Sequence, residues 1–291
     1  VLKKEFVINH IKIDKIQKSN DGTIKNAVTL FDNLLVESVL IPTAKRTTAC
    51  ISSQVGCSLD CDFCATSKLK RIRNLKPDEI FDQASTINLQ SKLYYNRPIS
   101  NIVFMGMGEP LLNYKNLILG IEKITGKDGL GISPKRITVS TSGISKLIIK
   151  MADENVKFNL AISLHSALEK TRNKIMPFSK KFPLDELKEA VKYWYKKTRK
   201  KVTYEYIVWK EINDDMKHIK ALVKFCKASP SKVNLIEYNN TENSFFTAAK
   251  DKIIQEYISE LEKNKIPVTI RKSRGKDIDA ACGQLANKKM N

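Results

Sequence analysis

Residues 48–64, TACISSQVGCSLDCDFC, pass from a run of β-forming residues directly into a loop with cysteines at positions 57, 61 and 64. The C-x3-C-x2-C spacing places three thiols in one short loop, and Cys50 adds a fourth thiol upstream. Disulfide bonds, a zinc ion and an iron–sulfur cluster each explain such a concentration of thiols. The rest of the chain decides among them.

The composition indicates a soluble globular protein, because 42% of the 291 residues are hydrophobic and 28% are charged. No apolar run approaches the ~20 residues that a membrane helix needs. The first residues, VLKKEFVINHIKIDK (1–15), lack the apolar segment and cleavage site of a secretory signal. We therefore expect a cytoplasmic protein without a membrane partner, in which clustered cysteines hold metal or do chemistry rather than form disulfides.

The net charge of +20 favours a polyanionic partner. A solvated lysine-rich surface is the simpler explanation of any single basic cluster. Two of the clusters, however, flank cysteine motifs, where they would bring phosphates to the chemistry. The clusters are Lys68, Lys70, Arg71 and Arg73; Lys196, Lys197, Arg199, Lys200 and Lys201; and Arg271, Lys272, Arg274 and Lys276.

Runs rich in β-branched and aromatic residues alternate with amphipathic helical patterns, which predicts an α/β fold with a parallel sheet. About six such units without a sequence repeat predict a partial (β/α)6 TIM-like barrel. The β-type runs are TACISSQ (48–54), NIVFM (101–105), KRITVST (135–141), KFNLAIS (157–163), VTYEYIV (202–208), KVNLIEY (232–238) and PVTIR (267–271). The helical patterns include residues 76–95, 183–197 and 250–264.

Residues 1–35 differ from this pattern, with short alternating stretches around Ile11 and Leu30 and a turn signal at SNDGT. We expect them to form a small N-terminal β extension, the remnant of an accessory region. Residues 36–291 then form the barrel together with a C-terminal segment that carries Cys282.

The three-cysteine loop favours an iron–sulfur cluster over zinc. A structural zinc site is closed by four ligands, and the chain's three histidines, at 10, 165 and 218, are distant from the loop in sequence. Three cysteines leave one iron of a [4Fe-4S] cluster open, and that iron can chelate S-adenosylmethionine (SAM) for reductive cleavage to a 5′-deoxyadenosyl radical. The loop resembles the radical SAM superfamily, whose signature has an aromatic residue just before the last cysteine, here Phe63. The resemblance implies one [4Fe-4S] cluster on Cys57, Cys61 and Cys64, with SAM as cofactor.

MGMGEP (105–110) is not a dinucleotide-binding G-x-G-x-x-G motif, because position 111 is leucine. In the superfamily this segment contacts the amino group of SAM, which implies a role for Gly108 and Glu109. A turn with a surface carboxylate is the alternative.

The resemblance implies further SAM contacts at Ser140, Ser163, Leu164, His165 and Asn239. Taken singly, a polar residue of this kind is more often a satisfied structural group.

RGKDIDAACGQLA (274–286), with CISSQVGC, MGMGEPLLN, ITVSTSG and AISLH, closely resembles the RlmN and Cfr family of RNA adenine methyltransferases. The resemblance covers about residues 30–287. It implies that one SAM methylates Cys282 and that a second SAM generates the radical that activates this methyl group for addition to the base. Glu37 would then remove the ring proton, and Cys50 would attack the Cys282 sulfur, releasing the product through a transient disulfide. Without the resemblance, Glu37 is a carboxylate in an apolar strand whose usual fate is a salt bridge.

The resemblance also implies the substrate. RlmN enzymes methylate carbon 2 of adenine 2503 in 23S rRNA and of adenine 37 in tRNA, and Cfr enzymes methylate carbon 8 of the same rRNA base. Pro110 favours the RlmN assignment, so we expect carbon 2 methylation by a monomer that takes electrons from an external donor such as flavodoxin. The alternatives are Cfr-like carbon 8 methylation, a radical SAM activating enzyme that acts on protein, and an RNA-binding protein with a purely structural cluster.

Overall fold

The fold is built on one twisted sheet, seen in a computed structural model that describes residues 10–241 and 244–287. Within these ranges, ten strands form the main sheet in the order β1-β2-β3-β4-β7-β8-β9-β10-β11-β12, and β5 pairs with β6. The strands are β1 Lys12–Lys18, β2 Ile24–Thr29, β3 Leu35–Pro42, β4 Thr47–Cys50, β5 Gln54–Val55, β6 Arg73–Asn74, β7 Asn101–Phe104, β8 Ile137–Thr141, β9 Asn159–Ser163, β10 Val202–Ile207, β11 Ser231–Ile236 and β12 Val268–Arg271.

Strand β4 and strands β7 to β12 are parallel neighbours, and helices connect them. Because β1 and β12 stand at opposite ends of the strand order, the barrel stays open. The predicted parallel sheet and its seven strand positions are confirmed. The helices are α1 Pro77–Tyr95, α2 Tyr114–Thr125, α3 Ser145–Asp153, α4 Glu169–Ile175, α5 Leu184–Thr198, α6 Met216–Cys226 and α7 Asp251–Lys263.

The N-terminal strands β1, β2 and β3 form an antiparallel meander that joins the barrel through the pairing of β3 with β4. Ile24, Val28 and Leu30 are buried in the same hydrophobic core as the barrel strands. The proposed division at residues 35 and 36 falls at the start of β3 and stays a prediction. The first nine residues of the proposed extension lie outside the described ranges.

The sheet is covered by helices that bury one apolar stripe each. In α5, Leu187, Ala190, Val191 and Trp194 are buried, at the spacing that places them on one helix face. All six residues of β10 are buried, since one face of the strand packs under helices and the other points into the barrel. No helix in the described ranges has both the length and the apolar character of a membrane span.

The loops that follow the parallel strands meet at one end of the barrel, as carboxyl ends of parallel strands do. The three-cysteine loop follows β4, the Gly-Glu segment follows β7, and His165 follows β9. The three-cysteine loop, the Gly-Glu segment and His165 therefore lie together at this end of the barrel.

Candidate active site

The three-cysteine loop is held in one conformation by its own main chain. The Cys57 N–H donates to the oxygen of Leu69 at 3.1 Å, and the Cys64 N–H donates to the oxygen of Cys61 at 3.1 Å. The Ser67 hydroxyl lies 2.5 Å from the same Cys61 oxygen. Gly56 has a φ of +74°, and a Cβ there would lie 2.2 Å from the oxygen of Lys70. A glycine is thus required where the loop begins.

The environment of the three thiols disfavours their ionisation. Burial raises the pKa of Cys57 to about 12 and raises the pKa values of Cys61 and Cys64 as well. The neighbouring thiols raise the pKa of Cys61 further. Thiolate is the form that binds metal. Three thiolates in this loop therefore need a compensating positive charge, which a bound metal cluster supplies.

The number of thiols in the loop favours a cluster over a single zinc ion. In the described ranges, no three Cys, His, Asp or Glu side chains approach closely enough to hold one metal ion. Thiolates on a single zinc each lie about 2.3 Å from it. Three cysteines leave one iron of a [4Fe-4S] cluster open for a further ligand, so the three-thiol donor set fits an iron–sulfur cluster.

The thiols face a cavity of about 160 Å³ at the carboxyl ends of the strands, which we call the upper cavity. It brings together most of the residues that the sequence analysis proposed as SAM contacts. Its walls include the three loop cysteines, Gly108, Glu109, Ser140, Ser163, His165, Asn239 and Cys282. Leu164 is not part of the wall, because its side chain is fully buried in the core.

Glu109 is fixed by main-chain donors. Its Oε2 accepts a hydrogen bond of 2.7 Å from the Ser142 N–H and its Oε1 accepts one of 3.0 Å from the Leu111 N–H. Burial raises the pKa of this carboxyl, and the hydrogen bonds oppose that shift. The backbone arrives at Glu109 through Gly108, whose φ is +92°. A carboxylate so held is preorganised to accept N–H donors of a cationic ligand.

His165 is a neutral donor in the upper cavity. Its Nδ1 accepts the Ile207 N–H at 3.2 Å, so the ring proton is on Nε2. Burial, and secondarily Arg172, lowers the pKa of His165 to about 3. The Phe63 ring packs edge-on at 4.7 Å between ring centroids. The aromatic residue of the cysteine motif therefore orients the histidine.

The side chain of Asn239 is only partly satisfied by hydrogen bonds within the protein. Its Nδ2 donates to the oxygen of Glu237 at 3.2 Å and to that of Cys282 at 3.3 Å. Its Oδ1 is buried without a partner in the described ranges. Buried polar atoms without a partner are uncommon. Together with Glu109 and the Nε2–H of His165, the Asn239 Oδ1 forms a set of acceptors and donors that fits a polar ligand such as SAM.

The C-terminal segment, residues 280–287, is tied to the three-cysteine loop. The Thr66 hydroxyl donates to the oxygen of Leu285 at 2.6 Å. The Gln284 side-chain amide donates to the oxygen of Asn240 at 2.9 Å. These bonds hold Cys282 at the rim of the upper cavity, where it is partly exposed.

A second cavity of about 540 Å³ runs through the barrel interior, and we call it the lumen cavity. Cys50 and Cys282 both line it, and Cys282 and Arg271 line the upper cavity as well. Burial, and next the neighbouring Cys282, raises the pKa of Cys50 to about 12, while Arg271 lowers it. The structure thus brings the two cysteines together, with a guanidinium beside them, at the junction of the two cavities.

Glu37 occupies a different environment. Its carboxylate lies 3.5 Å from Lys25 Nζ, and the exposed fractions of the two side chains are 2% and 4%. The Ala286 N–H also donates to Glu37 at 2.7 Å. Glu37 lines neither the upper nor the lumen cavity. Its role as a base stays a prediction.

Comparisons with known proteins agree with this site. The profile of the Radical SAM superfamily matches residues 51–223. A probable dual-specificity RNA methyltransferase RlmN from Flavobacterium psychrophilum is 66% identical over 290 residues, which cover 100% of this chain and 84% of that protein. A probable RlmN from Thermus thermophilus is 39% identical, over 99% of this chain and 81% of that one. This chain belongs to the RlmN family.

A solved structure supports the same relationship. The crystal structure of a radical SAM methyltransferase from Sphaerobacter thermophilus matches with a TM-score of 0.94 at 34% identity, and the match covers 98% of this chain and 83% of that chain. The family resemblance drawn from the cysteine motifs is confirmed, and so is the radical SAM barrel.

Several residues of this RlmN-family site were missed by the sequence analysis. Arg271 was noted only as part of a basic cluster. Glu205 was not noted, although its Oε1 accepts a hydrogen bond of 2.9 Å from Asn234 and its Oε2 lies 3.9 Å from Arg271. A charged residue inside the otherwise apolar run VTYEYIV was the available signal, since a buried carboxylate needs a partner.

Proposed function

We propose that this RlmN-family protein methylates carbon 2 of an adenine in RNA, with Cys282 as the carrier of the methyl group. The observation that carries the proposal is the position of Cys282, which lines both the upper cavity and the lumen cavity. A methyl group on its sulfur can be activated from one side and delivered to a base on the other. The RlmN relatives are named dual-specificity RNA methyltransferases.

The lumen cavity is suited to a nucleotide. Among the described residues, its walls carry six basic side chains and Glu205 as their one carboxylate; the basic residues are Arg46, Arg136, Lys232, Arg271, Lys272 and Arg274. Arg46 and Arg136 directly precede β4 and β8, and Lys232 is the second residue of β11. Three of these residues therefore ring the amino end of the barrel. Phosphates attract such a ring, and a base extruded from its strand would reach Cys282 through the lumen.

The residues that line the upper cavity support the assignment of the cofactors. We assign one [4Fe-4S] cluster to Cys57, Cys61 and Cys64 and two SAM molecules to each turnover, one as methyl donor and one as radical source. When bound, the cluster supplies the electron that cleaves SAM. When SAM is bound, Glu109, His165 and Asn239 would hold its polar groups, and the buried walls of the upper cavity would exclude water.

The protein's own residues carry the transfer. Cys282 loses its thiol proton and gains the methyl group of the first SAM. A hydrogen atom of that methyl group leaves with the deoxyadenosyl group of the second SAM as 5′-deoxyadenosine, and the methylene radical left on the Cys282 sulfur bonds to the ring carbon. The adduct radical then gives one electron to the oxidised form of the external electron carrier and its ring proton to Glu37, the proposed base.

Release requires Cys50. The Cys50 thiolate attacks the Cys282 sulfur, the sulfur–carbon bond breaks, and the carbon takes a proton to become the methyl group of the product. The resulting disulfide is reduced before the next cycle. Arg271, beside both cysteines, stabilises the thiolates in this exchange.

The remaining assignments are proposals of the same kind. The substrates are adenine 2503 of 23S rRNA and adenine 37 of tRNA, the electron donor is an external protein such as flavodoxin, and the enzyme acts in the cytoplasm as a monomer. The basic lumen supports an RNA substrate.

The test is anaerobic turnover of the iron-reconstituted protein with methyl-labelled SAM, a reductant and RNA that carries either adenine. Nucleoside mass spectrometry then locates the label, with Cys282→Ala as the control. We expect 2-methyladenosine from the wild type and none from Cys282→Ala. 8-Methyladenosine would assign the Cfr reaction instead, and label that persists in Cys282→Ala would exclude the carrier mechanism.

A further inference from the structure

Arg172 carries a buried positive charge behind the cluster loop. It lies on α4, and its side chain has no exposed surface. Its Nη2 donates to the oxygen of Ser142 at 2.5 Å and its Nε to the oxygen of Leu164 at 3.3 Å. Its Nη1 is buried without a hydrogen-bond partner among the described residues.

This charge lacks a carboxylate partner. Among the ion pairs of the described residues, none includes Arg172, and its hydrogen-bond acceptors are neutral carbonyl oxygens. Burying a charge without a counter-charge is costly. Burial lowers the pKa of Arg172 to about 10, and two negative groups oppose that shift, first Cys61 and then Glu169. The larger of the two opposing contributions comes from Cys61, a ligand of the proposed cluster.

The position of α4 explains this coupling. The Asp62 N–H, next to Cys61, donates to the oxygen of Ile175 at 3.1 Å. Ile175 and Met176 pack in the same buried apolar group as Cys57 and Cys61. Arg172 itself lines neither the upper nor the lumen cavity. Its side chain therefore does not contact a ligand that occupies either cavity.

We propose that Arg172 is the buried counter-charge of the iron–sulfur cluster, a positioning residue that raises the reduction potential of the cluster. The inference rests on the cluster assigned under the proposed function. Reduction adds one negative charge to a centre that already has three thiolate ligands, so a nearby fixed cation stabilises the reduced state. Net charge, burial and hydrogen bonds are the properties that set such potentials, and burial strengthens the interaction because the local dielectric constant is low.

A structural role is the competing explanation. Arg172 binds the oxygen of Ser142, and the N–H of Ser142 binds Glu109. Loss of Arg172 would then misplace Glu109 without an electrostatic effect on the cluster. The two roles are separated by comparing Arg172→Lys, which keeps the charge, with Arg172→Gln, which keeps N–H donors and removes the charge.

The experiment is an anaerobic redox titration of the reconstituted full chain without SAM, in which the reduced cluster is followed by electron paramagnetic resonance. Iron and sulfide content is measured for every variant. We expect Arg172→Lys to keep nearly the wild-type potential. For Arg172→Gln we expect a lower potential, so that the ratio of reduced to oxidised cluster at a fixed potential is at least tenfold smaller. A tenfold change in this ratio corresponds to a shift of about 59 mV for one electron.

Lys174→Gln is the matched control, because it removes an exposed cation from the same helix. It should leave the potential unchanged because water screens this charge.

Each other outcome has a defined meaning. An unchanged potential in a fully loaded Arg172→Gln variant would overturn the inference, and so would equal shifts in Arg172→Gln and Arg172→Lys. If Arg172→Gln fails to hold the cluster while Arg172→Lys holds it at the wild-type potential, the charge role is supported. Loss of the cluster from both variants would assign a structural role. Failure of the wild type to assemble a cluster would instead refute the proposed function.

Discussion

The Ala65 N–H donates a hydrogen bond of 2.7 Å to the main-chain oxygen of Gly283. Ala65 follows the last cysteine of the cluster loop, and Gly283 follows Cys282. This bond therefore joins the cluster loop to the segment that carries Cys282, although the two are more than two hundred residues apart in sequence. The proposed radical chemistry needs this contact, because a radical formed in the upper cavity must reach the group on Cys282 and nothing else.

Replacing Gln284 by leucine should loosen the C-terminal segment that carries Cys282. The Gln284 side chain donates to Asn240 and accepts the Ala281 N–H at 3.2 Å, and the substitution removes both bonds. At about 1 kcal/mol for each bond, we expect a roughly tenfold or greater fall in RNA methylation, with cluster content and SAM cleavage retained. The measurement is the ratio of methylated RNA to 5′-deoxyadenosine.

Gln90→Leu is the matched control for this prediction. Gln90 makes two buried hydrogen bonds with Asn26, and neither residue lines the upper or the lumen cavity. Its loss should lower the free energy of unfolding without changing the coupling ratio. If the two variants change the ratio equally, the C-terminal segment is not positioned by Gln284.

Gly108→Ala should weaken SAM binding. Gly108 has a φ of +92°, and a Cβ there would lie 2.5 Å from the Cβ of Gln54, whose side chain accepts the Glu109 N–H at 2.8 Å. Strain of about 1–3 kcal/mol predicts a five- to hundredfold rise in Kd, measured by calorimetric titration of SAM into the reconstituted protein. Gly131→Ala is the control, since Gly131 also has a positive φ but a Cβ there meets nothing within 4 Å. Equal affinities for the two variants would contradict the close approach at Gly108.

His165 should make the protein less stable in acid. Its pKa is lowered to about 3 in the folded state, against about 6.5 in the unfolded chain. The unfolded state therefore binds more protons between these values, and the stability that His165 contributes is complete above pH 6.5 and is lost as the pH falls. From pH 7 to pH 5 the expected loss is about 2 kcal/mol.

The measurement is urea unfolding at both pH values for the wild type and His165→Asn. Asparagine keeps an acceptor for the Ile207 N–H, tolerates the positive φ of 53° and does not titrate. The variant should lose about 2 kcal/mol less stability than the wild type. An identical pH dependence in the two proteins would show that His165 is not held neutral.

The proposed role of Glu37 as a base can be tested separately from its ion pair with Lys25. Glu37→Gln leaves the buried Lys25 without its partner, which costs about 3–5 kcal/mol of stability. The double variant Lys25→Met and Glu37→Gln removes both charges and should recover most of that loss, as measured by urea unfolding.

The double variant also decides the role of Glu37. If Glu37 is the base, methylation stays near background in the stable double variant, and a covalent adduct between Cys282 and the RNA persists on denaturing gels. Recovery of methylation together with stability would show that Glu37 acts only as the partner of Lys25.

If RNA binds along the basic walls of the lumen cavity, its affinity should depend on salt concentration through those charges. Arg136→Gln with Lys232→Gln removes two charges from its walls, and the slope of log K against log salt for a single-stranded RNA should decrease by roughly 1.4. Lys188→Gln with Lys192→Gln, on the outer face of α5, removes two lysines that already have carboxylate partners. A similar decrease in this control would show that the lumen is not the RNA path.

The sequence by itself determined the features that depend on local spacing. Cys57, Cys61 and Cys64 lie in one loop, so their joint role follows from their separation along the chain, and the seven parallel strands follow from runs of β-forming residues between amphipathic helices. The upper cavity was also foreseeable in outline, because side chains at the carboxyl ends of parallel strands must meet.

Only the tertiary structure decided which distant residues meet. Arg271 reaches Cys50 because the open sheet curls until β12 faces β4 across the lumen, and Arg172 lies behind Cys61 because α4 packs on the cluster loop. Neither relationship has a sequence signal, since an isolated arginine is usually a surface residue. The pairing of Glu37 with Lys25 depends on the register of β2 against β3. Local spacing encodes a ligand set within one loop, whereas the charges that tune it come from strands and helices that only folding brings together.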